Sequence, residues 1–280
     1  MEKLVINKVI LSCFLYVFLA LHFSPAASQE VEDTREFAYE SWSMRGPARW
    51  GMIRPEWRMC SNGTMQSPIE LLDQRVRLVS SLGRLKSRYI PSNATLRNRG
   101  HDMMLKWTSN TAGFVELNRT RYYLQQSHWH SPSEHTMNGK RFDLELHLVH
   151  QSLSGQLAVI GIMYQIGAAD SFLTSMEGHL MHAISNRTYQ ERSVGVVDPS
   201  LIKFGSRRYY KYIGSLTVPP CTQNVIWLVV REVRTVARGQ VSLLHVAVND
   251  GSDTNARPIQ HVHGRTLELY TNEDVIYRRN

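Results

Sequence analysis

Hydrophobic and polar residues alternate along seven stretches of the chain, and a period of two predicts β-strands. Turn-forming pairs such as Asn138-Gly139 and Ser154-Gly155 separate some of these stretches. The predicted strands are Thr95–Asn98, Met103–Trp107, Gly113–Leu117, Arg121–His130, Phe142–His150, Leu157–Gln165 and Val225–Val233.

A helical period is clear only over Phe172–Ile184, and three short segments have weaker helical character. These short candidates are Pro68–Leu72, Pro199–Ile202 and Ser242–Val246. No linker or repeat divides residues 37–274, so we expect one mostly β domain with peripheral helices, an α+β fold. Residues 29–36 are expected to form a loose segment before it, and residues 275–280 a C-terminal tail.

The first 28 residues have the pattern of a signal peptide. Lys3 and Lys8 precede an apolar run from Val9 to Leu21, and small residues follow up to Ser28. The run is shorter than the roughly 20 residues that a membrane helix needs, and no other segment is long and apolar enough. The pattern predicts entry into the secretory pathway and no transmembrane segment after cleavage.

Two cysteines, Cys60 and Cys221, remain outside the predicted signal peptide. In an oxidising compartment they are expected to form a disulfide, and two separate thiols are the alternative. Four Asn-X-Thr sequons make glycosylation a further expectation. The acceptor residues are Asn62, Asn93, Asn118 and Asn186.

The formal net charge is +8, but the basic residues are scattered and form no dense tract. A basic surface attracts anions in general. No nucleic-acid-binding motif accompanies the charge, so nucleic acid is not a predicted partner.

Five of the 12 histidines lie between residues 128 and 150. Alternate residues of a strand share a face, so His128 and His130 project together and Gln126 joins them. On the next predicted strand Glu145 and His147 share a face with Val149. The opposite face of that strand is formed by Leu144, Leu146 and Leu148.

If the Asn138-Gly139 turn joins these two strands, three imidazoles converge: His128, His130 and His147. Three neutral imidazoles with an open fourth position are typical of catalytic zinc. A ligating histidine also needs a partner for its second ring nitrogen, and Gln126 and Glu145 are placed to serve. The sequence therefore predicts Zn²⁺ as the cofactor.

The other histidines are interpreted as structural or surface residues. His135 and His150 are expected to form hydrogen bonds within the core or loops. Two further spaced pairs lack a third ligand in pattern and are interpreted as surface residues: His261 with His263, and His179 with His182.

The run HWHSPSEHT, followed by ELHLVH and later by YIGSLTVPPC, resembles the alpha class of carbonic anhydrase in its secreted plant form. The likeness extends from FAYESWSMRGPARWG through MQSPIEL and NRGHDMML to NARPIQ and LELY, which covers nearly the whole mature chain. The resemblance implies a large, mainly antiparallel twisted sheet of about ten strands with zinc on the central strands. It also implies a Cys60–Cys221 disulfide.

The resemblance further implies reversible hydration of CO₂ to bicarbonate and a proton, by attack of zinc-bound hydroxide. His128, His130 and His147 would be the ligands, with Gln126, Glu145 and Asn255 supporting them. Thr217 would donate to Glu134 and orient the nucleophile, and His101 would shuttle the proton. The residues that would line the CO₂ pocket are Val149, Val159, Leu216, Val225 and Trp227.

Two positions modify this expectation. Val218 follows Thr217 where the family usually has a second threonine, which predicts a changed anion affinity or turnover at the substrate site. Arg99 lies beside His101 and is expected to place positive charge at the cavity mouth and lower the pKa of that imidazole.

Two other functions remain open at this point. The first is a storage or binding protein of the same fold with weak or no activity, and the second is a different zinc hydrolase or esterase. The substrate is expected to be a small molecule, CO₂ or bicarbonate. The destination is expected to be the apoplast or a plastid reached through the secretory route, and both a monomer and a dimer are compatible with the sequence.

Overall fold

The computed structural model describes residues 30, 36–186, 191–204, 208–248 and 254–271. Within them, extended segments dominate and two long helices cover Ser171–Asn186 and Arg238–Val248. The strands are β1 (Glu70–Leu71), β2 (Val76–Leu78), β3 (Lys86–Tyr89), β4 (Ser92–Asn98), β5 (Met103–Trp107), β6 (Gly113–Leu117), β7 (Thr120–His130), β8 (Thr136–Met137), β9 (Lys140–Arg141), β10 (Leu144–Ser152), β11 (Leu157–Ile166), β12 (Arg192–Val197), β13 (Tyr209–Ser215), β14 (Gln223–Val230), β15 (Arg234–Val236) and β16 (Leu267–Tyr270).

Ten of these strands form one continuous path through the large sheet, in the order β12-β4-β5-β7-β10-β11-β14-β13-β16-β2. Strands β3, β6 and β15 pair beside this path, so the described residues contribute 13 strands to the sheet. Most pairs are antiparallel, but β14 and β15 run parallel to β11, and β2 runs parallel to β16. The expected fold class is confirmed, with a mixed rather than purely antiparallel sheet.

The short α-helices and 3₁₀ turns lie in the loops and near the N-terminus. The short α-helices are Trp50–Ile53 and Met59–Asn62, and the 3₁₀ turns are Pro47–Arg49, Pro55–Trp57, Asp73–Arg75, Ser80–Leu82 and Pro199–Leu201. No helix of the described residues is both long and apolar enough to cross a membrane.

The two faces of the sheet bury different clusters. The larger cluster contains Leu144, Leu146 and Leu148 of β10, together with apolar residues of the long helix Ser171–Asn186. The smaller cluster lies on the opposite face and includes Val149 of the same strand. The alternation along β10 therefore places leucines in the main core and leaves Glu145 and His147 on the other face.

Two sequence-based expectations about local structure are wrong. Pro68–Leu72 is not helical, because Glu70 and Leu71 pair in parallel with β8 in a separate three-stranded sheet. The Asn138-Gly139 turn joins β8 to β9 of that small sheet and does not join β7 directly to β10. Both turn residues have positive φ, 49° and 81°, as a tight hairpin requires.

Candidate metal centre

The three predicted ligands converge because of the register between β7 and β10. His147 lies directly opposite His128, and Glu145 lies opposite His130. The ring centroids are 5.0 Å apart for His128 and His130, and 4.6 Å apart for His130 and His147. Each of the three residues offers a ring nitrogen within 4.8 Å of the other two. All three residues are buried.

An oxygen acceptor holds the second nitrogen of each ring. Nδ1 of His128 is 2.8 Å from Oε1 of Gln126, and Nε2 of His147 is 2.9 Å from Oε1 of Glu145. Nδ1 of His130 is 2.7 Å from the backbone carbonyl of Asn255. Because carbonyl and carboxylate oxygens only accept, each of these nitrogens carries the proton. Lone pairs remain on Nε2 of His128, Nε2 of His130 and Nδ1 of His147.

The inward-facing lone pairs fit a cation. Nε2 of His128 and Nδ1 of His147 are 3.3 Å apart. Both nitrogens carry lone pairs, so neither can donate a hydrogen bond to the other. Nε2 of His130 is buried and has no hydrogen-bond partner among the described residues. Burial also lowers the pKa of His128 well below its ordinary value, so the ring is neutral. A divalent cation with a preference for imidazole nitrogen would satisfy all three atoms.

Glu145 fixes both a ligand and the adjoining loop. Its Oε2 accepts hydrogen bonds from the backbone N–H groups of Glu134 and His135, each at 2.8 Å. Burial alone would raise its pKa, but the neighbouring His135 and His147, which both donate hydrogen bonds to it, hold the pKa well below its usual value. A side chain at Gly161, opposite His147, would place Cβ 3.0 Å from Oε1 of Glu145. Gly161 therefore leaves the space that this carboxylate occupies.

Glu134 brings a second carboxylate to the inward-facing nitrogens. Its Oε2 is 3.6 Å from Nε2 of His130 and 4.0 Å from Nδ1 of His147. The other oxygen, Oε1, accepts from the backbone N–H of Arg257 at 2.9 Å. No described residue donates a hydrogen bond to Oε2, which is buried. The expected Thr217–Glu134 hydrogen bond is thus not formed here, although Thr217 is buried in the loop after β13.

The predicted apolar pocket residues belong to a single cluster next to the metal centre. Val149 and Leu216 line a cavity of about 100 Å³, together with Gln126. Trp227 packs edge-on against the ring of His147, with centroids 4.9 Å apart. Val159 and Val225 are buried in the same cluster.

Val218 has a different environment from the one expected for a substrate contact. It is fully buried in a separate cluster with Phe37, Tyr39, Trp50 and the disulfide. The backbone turn at residues 218–221 directs its side chain to this cluster, where Cys221 N donates to Val218 O at 2.9 Å. Val218 is not among the described residues that line the cavity of Val149 and Leu216, and its role towards substrate stays a prediction.

His101, the predicted proton shuttle, is buried in this structure. Only 3 % of it is exposed, and its ring packs against Phe37 and Tyr39 with centroids 4.8 and 5.8 Å away. Burial lowers its pKa to about 4, with a smaller contribution in the same direction from Arg99 and an opposing one from Asp102. The expected effect of Arg99 has the right sign, but burial is the larger cause. A relay near neutral pH needs a ring that titrates there.

Several residues at the site had no specific role in the sequence analysis. His135 donates to Glu145, and its Nε2 is 2.7 Å from the hydroxyl of Tyr212. It therefore has the structural role expected for it. Through Glu145 it also helps to position the ligand His147. Arg257 is buried and donates to Gln66 and to the backbone of Cys60. Contacts of this kind span 77 to 197 residues of sequence, and no local pattern indicates them.

The remaining candidates are placed as follows. Cys60 and Cys221 form the disulfide. His150 is buried, with Nε2 2.8 Å from the hydroxyl of Tyr89. Among the described residues, two groups of side chains could hold a metal ion. One is the set of three predicted ligands. The other is His135, Glu145 and His147, and these lie close together because both histidines donate hydrogen bonds to Glu145.

Comparison with known proteins settles the family. A family model for eukaryotic-type carbonic anhydrase matches residues 45–271. The chain belongs to this family. A carbonic anhydrase of Arabidopsis thaliana, alpha carbonic anhydrase 7, is 53 % identical over 272 residues, which cover 95 % of this chain and 98 % of the relative.

Solved structures agree with this carbonic anhydrase assignment. An alpha-carbonic anhydrase from Thermovibrio ammonificans in complex with sulfanilamide has a TM-score of 0.73 and 30 % identity, over 83 % of this chain and 98 % of that one. Dioscorin complexed with ascorbate has a TM-score of 0.82 and 43 % identity, over 85 % of this chain and 98 % of that one. Both of these similar structures, a carbonic anhydrase and a dioscorin, contain a bound small molecule.

Proposed function

We propose that this protein is a zinc enzyme that catalyses the reversible hydration of CO₂ to bicarbonate and a proton. One observation carries the proposal: three imidazoles present lone pairs to one point, while an oxygen acceptor fixes the other nitrogen of each ring. Family membership supports the same conclusion. In this proposal His128, His130 and His147 hold the metal.

Zinc held by these residues would supply a water with a pKa near 7 and thus a nucleophile at neutral pH, an effect for which carbonic anhydrase is itself the reference case. Gln126, Glu145 and the carbonyl of Asn255 orient the ligands. Thr217 would use its single hydroxyl proton to donate to Oε2 of Glu134, which leaves the hydroxyl oxygen as an acceptor beside the substrate. CO₂ is uncharged, so the wall of Val149 and Leu216 can admit it without a cationic group.

The test combines elemental analysis with a CO₂ hydration assay on the purified protein. We expect one zinc per chain and activity that is lost after dialysis against a strong chelator. His128→Ala should lose the metal and reduce kcat/KM more than 100-fold. The matched control replaces His261 and His263 with Ala, since this exposed pair has the same H-x-H spacing and a ring separation of 5.6 Å.

A folded variant tests the chemistry separately from metal binding. Thr217→Val should keep the zinc and reduce kcat by a factor on the order of 100, which is typical for removal of one orienting hydrogen bond. Native zinc content with no CO₂ hydration in the wild type would contradict the enzyme proposal while leaving the metal site intact.

The second candidate is a binding or storage protein with weak or no activity. The likeness to dioscorin, solved with ascorbate, favours it. Calorimetric titration with ascorbate, in parallel with the hydration assay, separates the two functions. Tight ascorbate binding without CO₂ turnover supports the binding protein, and the reverse supports the enzyme.

We also propose secretion, with residues 1–28 as a signal peptide and residues 37–274 as the domain. Residues 1–28 and the tail 275–280 lie outside the described residues. Three sequon asparagines, Asn62, Asn93 and Asn118, are exposed, which glycosylation requires. The side chain of Asn186 lies outside the described part. Mass spectrometry of the secreted protein, before and after glycosidase treatment, tests the new N-terminus and each acceptor.

A further inference from the structure

The cavity beside the metal centre contains a carboxylate that belongs to the chain itself. Glu30 lines this cavity with Arg99, Lys106 and Gln126. Only 7 % of its side chain is exposed. Its Oε1 lies 3.8 Å from Nε2 of His128, one of the three inward-facing nitrogens. A carboxylate in this position needs a set of donors to offset its desolvation.

Arg99 provides the main donor and is itself held rigidly. Its Nε donates to Oδ1 of Asp102 at 2.7 Å, and Nη2 donates to Oδ2 of the same carboxylate. This bidentate pair fixes the plane of a guanidinium group whose side chain is 1 % exposed. The remaining nitrogen, Nη1, donates to Oε2 of Glu30 at 2.6 Å.

Gln126 provides a second donor to the same oxygen. Its Nε2 is 3.2 Å from Oε2 of Glu30, while its Oε1 accepts from His128. The bond to His128 determines which end of the amide faces Glu30, so the N–H group is aimed into the cavity. Lys106 adds a positive charge to the cavity lining.

We propose that Arg99 and Gln126 form a carboxylate-binding subsite, and that small monocarboxylate anions compete with Glu30 for it. Arg99 is oriented by Asp102 and Gln126 by His128, so neither donor depends on Glu30 for its direction. The subsite goes beyond CO₂ hydration, and its donors act whether or not a metal is bound. Glu30 is an internal competitor at high local concentration, which weakens the apparent affinity for added anions.

The test is calorimetric titration of acetate into the secreted protein that retains Glu30, in zinc-loaded and zinc-free forms. Glu30→Ala should tighten acetate binding at least tenfold in both forms, because it removes the competitor. Glu36→Ala is the matched control, since Glu36 pairs with Arg54 on the surface, outside the cavity. It should leave the acetate dissociation constant within twofold of the wild type.

A second variant assigns the gain to the proposed donors. In the Glu30→Ala background, the paired change Arg99→Gln with Asp102→Asn removes both charges. The two amide side chains can still form a hydrogen bond with each other. It should abolish the tenfold gain while circular dichroism remains native. A gain that survives this change, equal tightening by Glu36→Ala, or unchanged affinity in Glu30→Ala would each overturn the subsite. The zinc-free measurements decide this even if the protein proves to have no CO₂ hydration activity.

Discussion

The carboxylate of Glu145 shows how much one residue can organise at this site. It accepts hydrogen bonds from His147, from the His135 ring and from two backbone N–H groups. Each of these four partners is a donor. Such a set holds a buried charge without an arginine or lysine partner. The consequence is that the orientation of one ligand and the position of the loop at Glu134 depend on the same side chain.

The period of two in the sequence was sufficient to predict this pairing of Glu145 with His147. It could not indicate Gly161 or the carbonyl of Asn255, because their roles depend on chain segments that meet only in the folded protein. The burial of His101 could not be predicted for the same reason. Its local motif does not reveal that Phe37, 64 residues away in sequence, covers the ring.

The burial of His101 leads to a kinetic prediction. We expect His101→Ala to change kcat by less than about threefold at pH 7.5, because a ring with a pKa of about 4 carries few protons at that pH. Stopped-flow CO₂ hydration at low and high buffer concentration measures this. A loss of tenfold or more that added imidazole restores would show that His101 is the shuttle after all.

At the level of elements, alternation identified β4, β5, β6, β7, β10, β11 and β14, and it missed several other strands. The predicted segments around β7, β10 and β11 are confirmed within about two residues, since both faces of these strands are buried and patterned. Strands β3, β12, β13 and β16 were not predicted. The pairing of Glu70 and Leu71 with β8 is a long-range contact that overrides local propensity.

One 3₁₀ turn, Asp73–Arg75, is attached to the sheet through an ion pair that predicts a pH dependence. Asp73 accepts from Arg231 at 2.6 Å and also from the hydroxyl of Tyr210. The hydrogen bond from Arg231 is the largest cause that lowers its pKa from 3.8 to about 2. A carboxyl group with a lowered pKa stabilises the folded state above about pH 4, and this contribution is lost as the pH falls towards 2.

Urea unfolding of the wild type and of Asp73→Asn measures the contribution. At pH 6 we expect the variant to be less stable by about 1 kcal/mol, a value reduced for the partial exposure of the pair. At pH 3 the difference should shrink to about half. A difference that is independent of pH would contradict the assignment to the Asp73 charge.

At the scale of the whole molecule, the disulfide joins parts of the chain that are 161 residues apart. Cys60 and Cys221 pack with Trp50 and Val218 in one aromatic cluster. Buried Arg257 extends this cluster towards the metal centre, because its side chain donates to Cys60 O and its backbone N–H donates to Glu134. The cysteine count predicted the bond, but not its connection to Glu134.

Replacing both cysteines with Ser should therefore reduce the free energy of unfolding by about 2–5 kcal/mol, since the unfolded chain is no longer constrained. Thermal and urea unfolding provide the measurement. Wild type in reducing buffer is the control, and it should unfold together with the double variant. Equal stability of the oxidised wild type and the double variant would show that the bond does not constrain the unfolded chain.

The alternation along β10 couples the two faces of the sheet. Leu144, Leu146 and Leu148 enter the main core, while Glu145 and His147 enter the opposite side of the same backbone. Deleting or inserting a single residue within this strand would exchange the two sets. Aliphatic groups would then face the candidate metal centre, and an ionised group would enter the hydrophobic core. Many substitutions are compatible with such a strand, but a shift by one position would disrupt the main core and the candidate metal centre at the same time.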